Sequence, residues 1–239
     1  QLEETIADDK WRLYNYPVNQ MFGTHTMVPS LLINQHQIND ETDAKAYIAR
    51  LNAVLPLFNQ LTVQLDKRAE LGIIPPKFVF AHVLSASNNI IQGAPFTEGP
   101  DSTLLEDFRR KVSALQLDDA TKQMLIKEAE IALVSSVKPA YQHLISYLTT
   151  LETKAGNDDG VWRFVRGAEF YNHALARTTT TTMTADQIHD LGLAEVSRIH
   201  QEMRAIMNKV GFKGDLQAFF KFMREDSQFY YPDNAEGKA

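Results

Sequence analysis

Seven histidines carry the metal and proton chemistry open to this sequence: His25, His36, His82, His143, His173, His189 and His200. Zinc hydrolases place two imidazoles one helical turn apart on one face, as in H-E-x-x-H. No two of these histidines are four positions apart, and no Glu-x-x-His of the di-iron type occurs. The nearest match is Asp186 with His189, where Asp186 falls in a helix first turn that favours an acid anyway. His189 and His200 share one side of a helix, but their spacing of eleven residues puts them roughly 16 Å apart, too far for one metal.

Nucleophile and phosphate motifs are missing. There is no G-x-S-x-G, no G-x-G-x-x-G and no phosphate loop. The chain holds no cysteine, which excludes a disulfide framework, a thiol nucleophile and a zinc finger. Glu169 and His173 are four apart and share a helix face, with Tyr171 beside them. Such pairs are usually surface partners worth a few tenths of a kcal/mol, and the sharper reading is a polar cluster facing a cleft. Two aromatic clusters, Trp11-Tyr14-Tyr16 and Tyr230-Tyr231, read as packing first and groove lining second.

The elements that position these residues are helical. Of 239 residues 44% are hydrophobic and 23% charged, as in an ordinary globular chain. The net charge of -6 without a basic stripe makes nucleic acid a poor partner. No apolar run reaches the ~18 residues of a membrane span. Apolar spacing of three and four predicts a helix over 43–71, kinked or split at Pro56 and stopped at Gly72. Pro75-Pro76 then fit the first turn of a helix running to about Gly93.

Residues 92–102 read as a loop and a sub-boundary. Thr103 with Glu106 has capping-box spacing, and Leu104, Phe108, Val112 and Leu115 form the apolar face behind it. A long helix capped by Asp118 or Asp119 kinks at Pro139. Residues 156–160 are a turn, 161–165 an extended piece, and 169–177 a short helix before the threonine run 178–182. Thr184 and Gln187 form a second capping box, for a helix ending at Gly211. A last helix starts near Asp215 with Leu216, Phe219, Phe220 and Met223 as its core face, and a polar tail covers 230–239. The expectation is an all-α fold, a multi-helix array or bundle in a single helical region over 1–239.

Several stretches together resemble the bacterial family known as domain of unknown function 885. They are Tyr16-Pro17-Val18-Asn19-Gln20-Met21-Phe22-Gly23, Leu71-Gly72-Ile73-Ile74-Pro75-Pro76-Lys77 and Val137-Lys138-Pro139-Ala140-Tyr141. Gly167-Ala168-Glu169-Phe170-Tyr171 follows, then the threonine run and 184–196. The resemblance implies a helical fold similar to gluzincin zinc metallopeptidases, of which this sequence is the N-terminal part. It implies zinc in the full-length parent, with a metal motif and glutamate in the C-terminal half; nothing here matches them, so no catalytic residue and no metal ligand is assigned. It places Glu169 and Tyr171, with His173 beside them, on a cleft wall as contacts for a peptide or other small substrate.

Relatives are exported or described as lipoproteins, which implies a periplasmic or outer-envelope location and a lipid anchor at a removed N-terminus. A sequence starting at Gln1 rather than Met fits a trimmed leader. The other class of reading is a non-enzymatic helical module that binds a ligand or partner. If the chain is the N-terminal part of a larger fold, its last helix, with Phe219, Phe220 and Met223, is expected to be poorly covered, whereas full burial of the three would mark a complete domain.

Overall fold

The computed structural model describes residues 2–235 and 237. Gln1 and the tail positions Glu236, Lys238 and Ala239 lie outside the described residues, so the start at Gln1 and the end of the polar tail are not addressed. The fold is all-α, and among the described residues no strand forms; only isolated bridges occur, Val18 with Gly23 and Ala94 with Asp101. The chain forms two compact units, residues 1–170 and 171–239, and 92–102 lies inside the first.

The first unit comprises α1 (Leu2–Asp9), α2 (Thr24–Ser30), α3 (Glu41–Asn52), α4 (Val54–Glu70), α5 (Lys77–Ile90), α6 (Thr103–Ser113), α7 (Asp119–Ala132) and α8 (Lys138–Glu152). Its core is one cluster in which Tyr47, Phe58, Phe80, Phe108, Leu125 and Tyr141 are fully enclosed. Each helix contributes one apolar stripe, and α6 buries Leu104, Phe108 and Val112 as the spacing predicts.

Pro56 splits the predicted helix into α3 and α4 at Ala53. Proline lacks the N–H that would bond the carbonyl four residues back, here that of Asn52. Ser136 supplies the missing donor. Its Oγ donates to the Asn52 carbonyl at 3.0 Å and accepts from the Leu55 N–H at 3.2 Å. Ser136 reaches the break because α7 and α8 are joined by a π-helical turn, Leu133–Val137, that turns Leu133, Ser136 and Val137 inward together. The kink expected at Pro139 is thus absorbed as a wider turn just before it, and the helix continues.

A second π-helical turn, Leu31–Gln35, follows α2. Its Leu32 and Ile33 carbonyls accept from Lys111 Nζ at 2.8 and 2.9 Å. Lys111 also pairs with buried Asp107 at 2.7 Å, and Tyr47 donates to Asp107 at 3.4 Å. This charged patch of α6 therefore ties α3 and the π turn to one carboxylate.

Local expectations fail in three places. Thr103 does not cap α6: Ser102 occupies the N-cap position without a side-chain bond, so the Thr103–Glu106 box is not formed. Pro75-Pro76 precede α5 instead of entering its first turn, with Pro76 as N-cap. The residues expected to be extended, 161–165, begin with a 3-10 turn, Val161–Arg163, and only Phe164 is extended. Caps at Asp40, Asp118, Thr184 and Asp215 form through side-chain bonds, and Thr184–Gln187 is a complete capping box.

The second unit holds most of α9 (Gly167–Thr179), α10 (Ala185–Lys209) and α11 (Leu216–Glu225). The threonine run does not prevent α9 from reaching Thr179; the turn comes at Thr180, whose φ is 55°. In α11 the inward face is Phe219 with Phe222, which pack on Phe212 at centroid distances of 5.1 Å each. Phe219 is buried, Phe220 is half-buried and Met223 is 38% exposed, so the core face is shifted from the predicted one and is incompletely covered.

Replacing Ser136 with Ala removes the side-chain partner of the partly buried Leu55 N–H and Asn52 C=O. The expected loss of stability is about 1–3 kcal/mol by urea denaturation. An unchanged midpoint would show that the α3–α4 break does not depend on this hydroxyl.

Candidate functional site

The site expected at Gly167–Tyr171 is carried by the start of α9. Its base is aromatic: Trp11, Tyr14, Phe164 and Phe170 pack with centroid distances of 4.9–5.8 Å. Arg166 lies over the Trp11 ring, 4.8 Å from its centroid. From there it donates Nε–H and Nη2–H to the two carboxylate oxygens of Glu169 at 3.1 and 2.6 Å. The guanidinium hydrogen bonds hold the Glu169 pKa below the usual carboxylate value and raise that of Arg166. Glu169 is therefore an ionised acceptor at neutral pH and not a proton donor. Both groups are exposed, so the pair orients a carboxylate more than it stabilises the fold.

The two units meet in sequence between Phe170 and Tyr171. Glu169 belongs to the first unit. Tyr171 and His173 belong to the second, where Tyr171 is exposed and His173 half-buried. The Trp11-Tyr14-Tyr16 cluster packs in the first unit, with Trp11 buried and Tyr16 accepting from Arg163 Nη2 at 2.7 Å. Tyr230 and Tyr231 are exposed.

The spacing argument missed Arg166, although a basic residue three positions before Glu169 is a legible helix-pair signal. It also missed the Trp11 platform, which is distant in sequence and had no local signal. Cavities of about 260 and 300 Å³ open elsewhere in the first unit, one lined by Val28, Leu31, Leu32, Val54 and Leu57, the other by Pro95, Ile131 and Val134.

Two histidines are deeply placed. The buried His25 has its backbone carbonyl bonded by the Tyr141 hydroxyl at 2.5 Å, while its Nδ1 has no partner. Burial pushes its pKa down to about 4. His36 receives an N–H from Arg50 at Nδ1, and its Nε2 lies 3.1 Å from the Asp43 carbonyl. That pattern requires the neutral ring with the proton on Nε2. Burial, then the Arg50 charge, lowers the His36 pKa. Among the described residues no group of three or more His, Asp or Glu side chains is arranged to hold a metal. The donor set here therefore does not fit the zinc that the family resemblance implies, and no step is derived through it. Among the described residues no helix is long and apolar enough to cross a membrane.

The family model described as "Bacterial protein of unknown function (DUF885)" matches residues 1–239. In structure the chain is similar to the "putative lipoprotein from Colwellia psychrerythraea", with a TM-score of 0.77 and 25% identity. The likeness covers 93% of this chain and 38% of that one, so this chain spans well under half of its neighbour. No curated protein matches the chain in sequence.

Because the folded chain holds His25 neutral down to pH about 4, the unfolded chain takes up the proton first, near pH 6.5. The His25 contribution to stability is level above that value and falls as pH drops from 6.5 toward 4, by about 3 kcal/mol for a shift of this size. His36 acts in the same direction. Urea denaturation across this range should show a flatter profile for His25→Gln than for the natural chain. Parallel profiles would assign the acid sensitivity to other groups.

Proposed function

We propose a function from one premise: the chain belongs to the bacterial DUF885 family. In this reading it is the N-terminal helical part of an exported metallopeptidase-like hydrolase. It supplies a cleft wall and substrate contacts, while the zinc-binding residues that the resemblance implies lie in the remainder of the parent. The observation that carries the reading is the match to a much longer protein, 93% of this chain against 38% of the other.

The uncovered surface of the second unit supports it. Leu191, Leu193, Val196 and Ile206 of α10 are each 50–58% exposed, and Val210 just after it is 62% exposed. Large apolar side chains left exposed along one helix are the kind of surface that further helices cover. The lipoprotein description of the structural neighbour supports an envelope location for the parent; in this reading a lipid at its removed N-terminus anchors it.

Glu169, Tyr171 and His173 are the substrate contacts in this reading. Glu169 is held ionised by Arg166 and presents an acceptor to a substrate N–H or ammonium group. A second reading is a non-enzymatic lipoprotein module that holds a ligand, favoured by a neighbour whose description names a lipoprotein and no reaction.

Peptide hydrolysis by the full parent and by residues 1–239 separates these readings. The expectation is turnover by the parent alone, with Glu169→Gln raising KM about tenfold or more, the worth of a charged hydrogen bond, and leaving kcat near its natural value. A parent that binds peptide without cleaving it favours the binding module. Turnover by residues 1–239 alone would overturn the cleft-wall reading.

A further inference from the structure

We infer that a cavity at the end of α4 is a binding site for a phosphate group. It has a volume of about 280 Å³ and is lined by Arg12, Leu13, Gln64, Lys67 and Arg68. Gln64, Lys67 and Arg68 stand at i, i+3 and i+4 on one face of α4, and Arg12 crosses them from the turn after α1. Three cations thus converge on one space in a chain whose net charge is -6.

Arg68 anchors the site. It is 7% exposed, and a buried charge is costly unless an opposite charge meets it. Every acceptor it has is neutral. Nε donates to Asn15 O and Oδ1, Nη1 to the Gln64 carbonyl, and Nη2 to the Arg12 carbonyl and Asn15 Oδ1. A guanidinium has five N–H groups, so one Nη1 proton remains without an acceptor.

Burial and the neighbouring Arg12 charge lower the Arg68 pKa, as expected where like charges face each other unscreened. Among the described residues Lys67 makes no ion pair. Arg12 meets Asp9 at 3.9 Å, with both side chains about 70% exposed, a contact too loose to neutralise it. Fixed neutral bonds on Arg68 keep the guanidinium in place whether or not an anion is present, so the site is preorganised.

The charge count selects the ligand. Three cations exceed what one carboxylate neutralises and match the charge of about −1.5 to −2 on a phosphate monoester at neutral pH. Arginine forks and a lysine point charge are the usual way of holding such oxygens. The phosphate comes from solution or from a lipid headgroup, and the two sources are separable.

Inorganic phosphate titrated into the chain should give saturable binding by calorimetry and a rise in Tm. Sodium acetate at matched ionic strength should give neither. Arg12→Ala with Lys67→Ala, both exposed side chains, should weaken phosphate binding about tenfold or more. Lys67→Glu alone should do the same and serves if the double variant does not fold. Vesicles of phosphatidylcholine with and without phosphatidic acid separate the sources. Binding of free phosphate supports a soluble ligand, and binding only to the phosphatidic acid vesicles supports the headgroup. Equal responses to phosphate and acetate, equal affinity in natural and variant chains, or no binding in any arm would overturn the inference.

Discussion

The first unit depends on how one proline is accommodated. Pro56 is what breaks the long predicted helix, and it leaves the partly buried Asn52 carbonyl without its helical donor. Ser136 closes that gap with a single hydroxyl that both donates and accepts. Placing it there requires the π-helical turn at Leu133–Val137. The two irregularities are one feature: the extra width in one helix pair fills the missing bond in the other. With the junction sealed, α4 lies along α8, Phe58 meets Tyr141 at 4.9 Å, and the α4 face bearing Gln64, Lys67 and Arg68 is fixed against the first turns of the chain.

Charge is handled by a consistent device. Buried cations are held by backbone carbonyls, Lys111 by Leu32 and Ile33, Arg68 by Gln64 and Arg12. Lys111 also has Asp107. Arg68 has no carboxylate, and that difference separates a structural cation from one disposed toward a ligand. Arg166 represents a third case, an exposed cation seated on Trp11 that aims a carboxylate outward.

Much of this was legible from residues in order. Helix faces followed from apolar spacing, since a stripe at three and four has one way to be buried. Caps at Asp118 and Thr184 followed from side-chain chemistry that acts within three residues. The failures have a common cause, which is that distant partners decided them. Ser102 displaced Thr103 as N-cap because the loop before α6 folds back on itself, with Ser102 N–H donating to the Ala94 carbonyl at 2.8 Å. Both π turns are bonded to partners 78–84 residues away in sequence. The Arg12–Lys67–Arg68 cavity joins segments that share no local pattern. Glu169 was visible as a candidate, but its Arg166 and Trp11 supports were not read.

The account's central claim is that this chain builds the wall of a site whose metal chemistry is supplied elsewhere. Elemental analysis of the purified, metal-equilibrated chain of residues 1–239 tests it most directly. The account predicts zinc far below one atom per chain. One tightly held zinc per chain would place the metal site within these residues and contradict it.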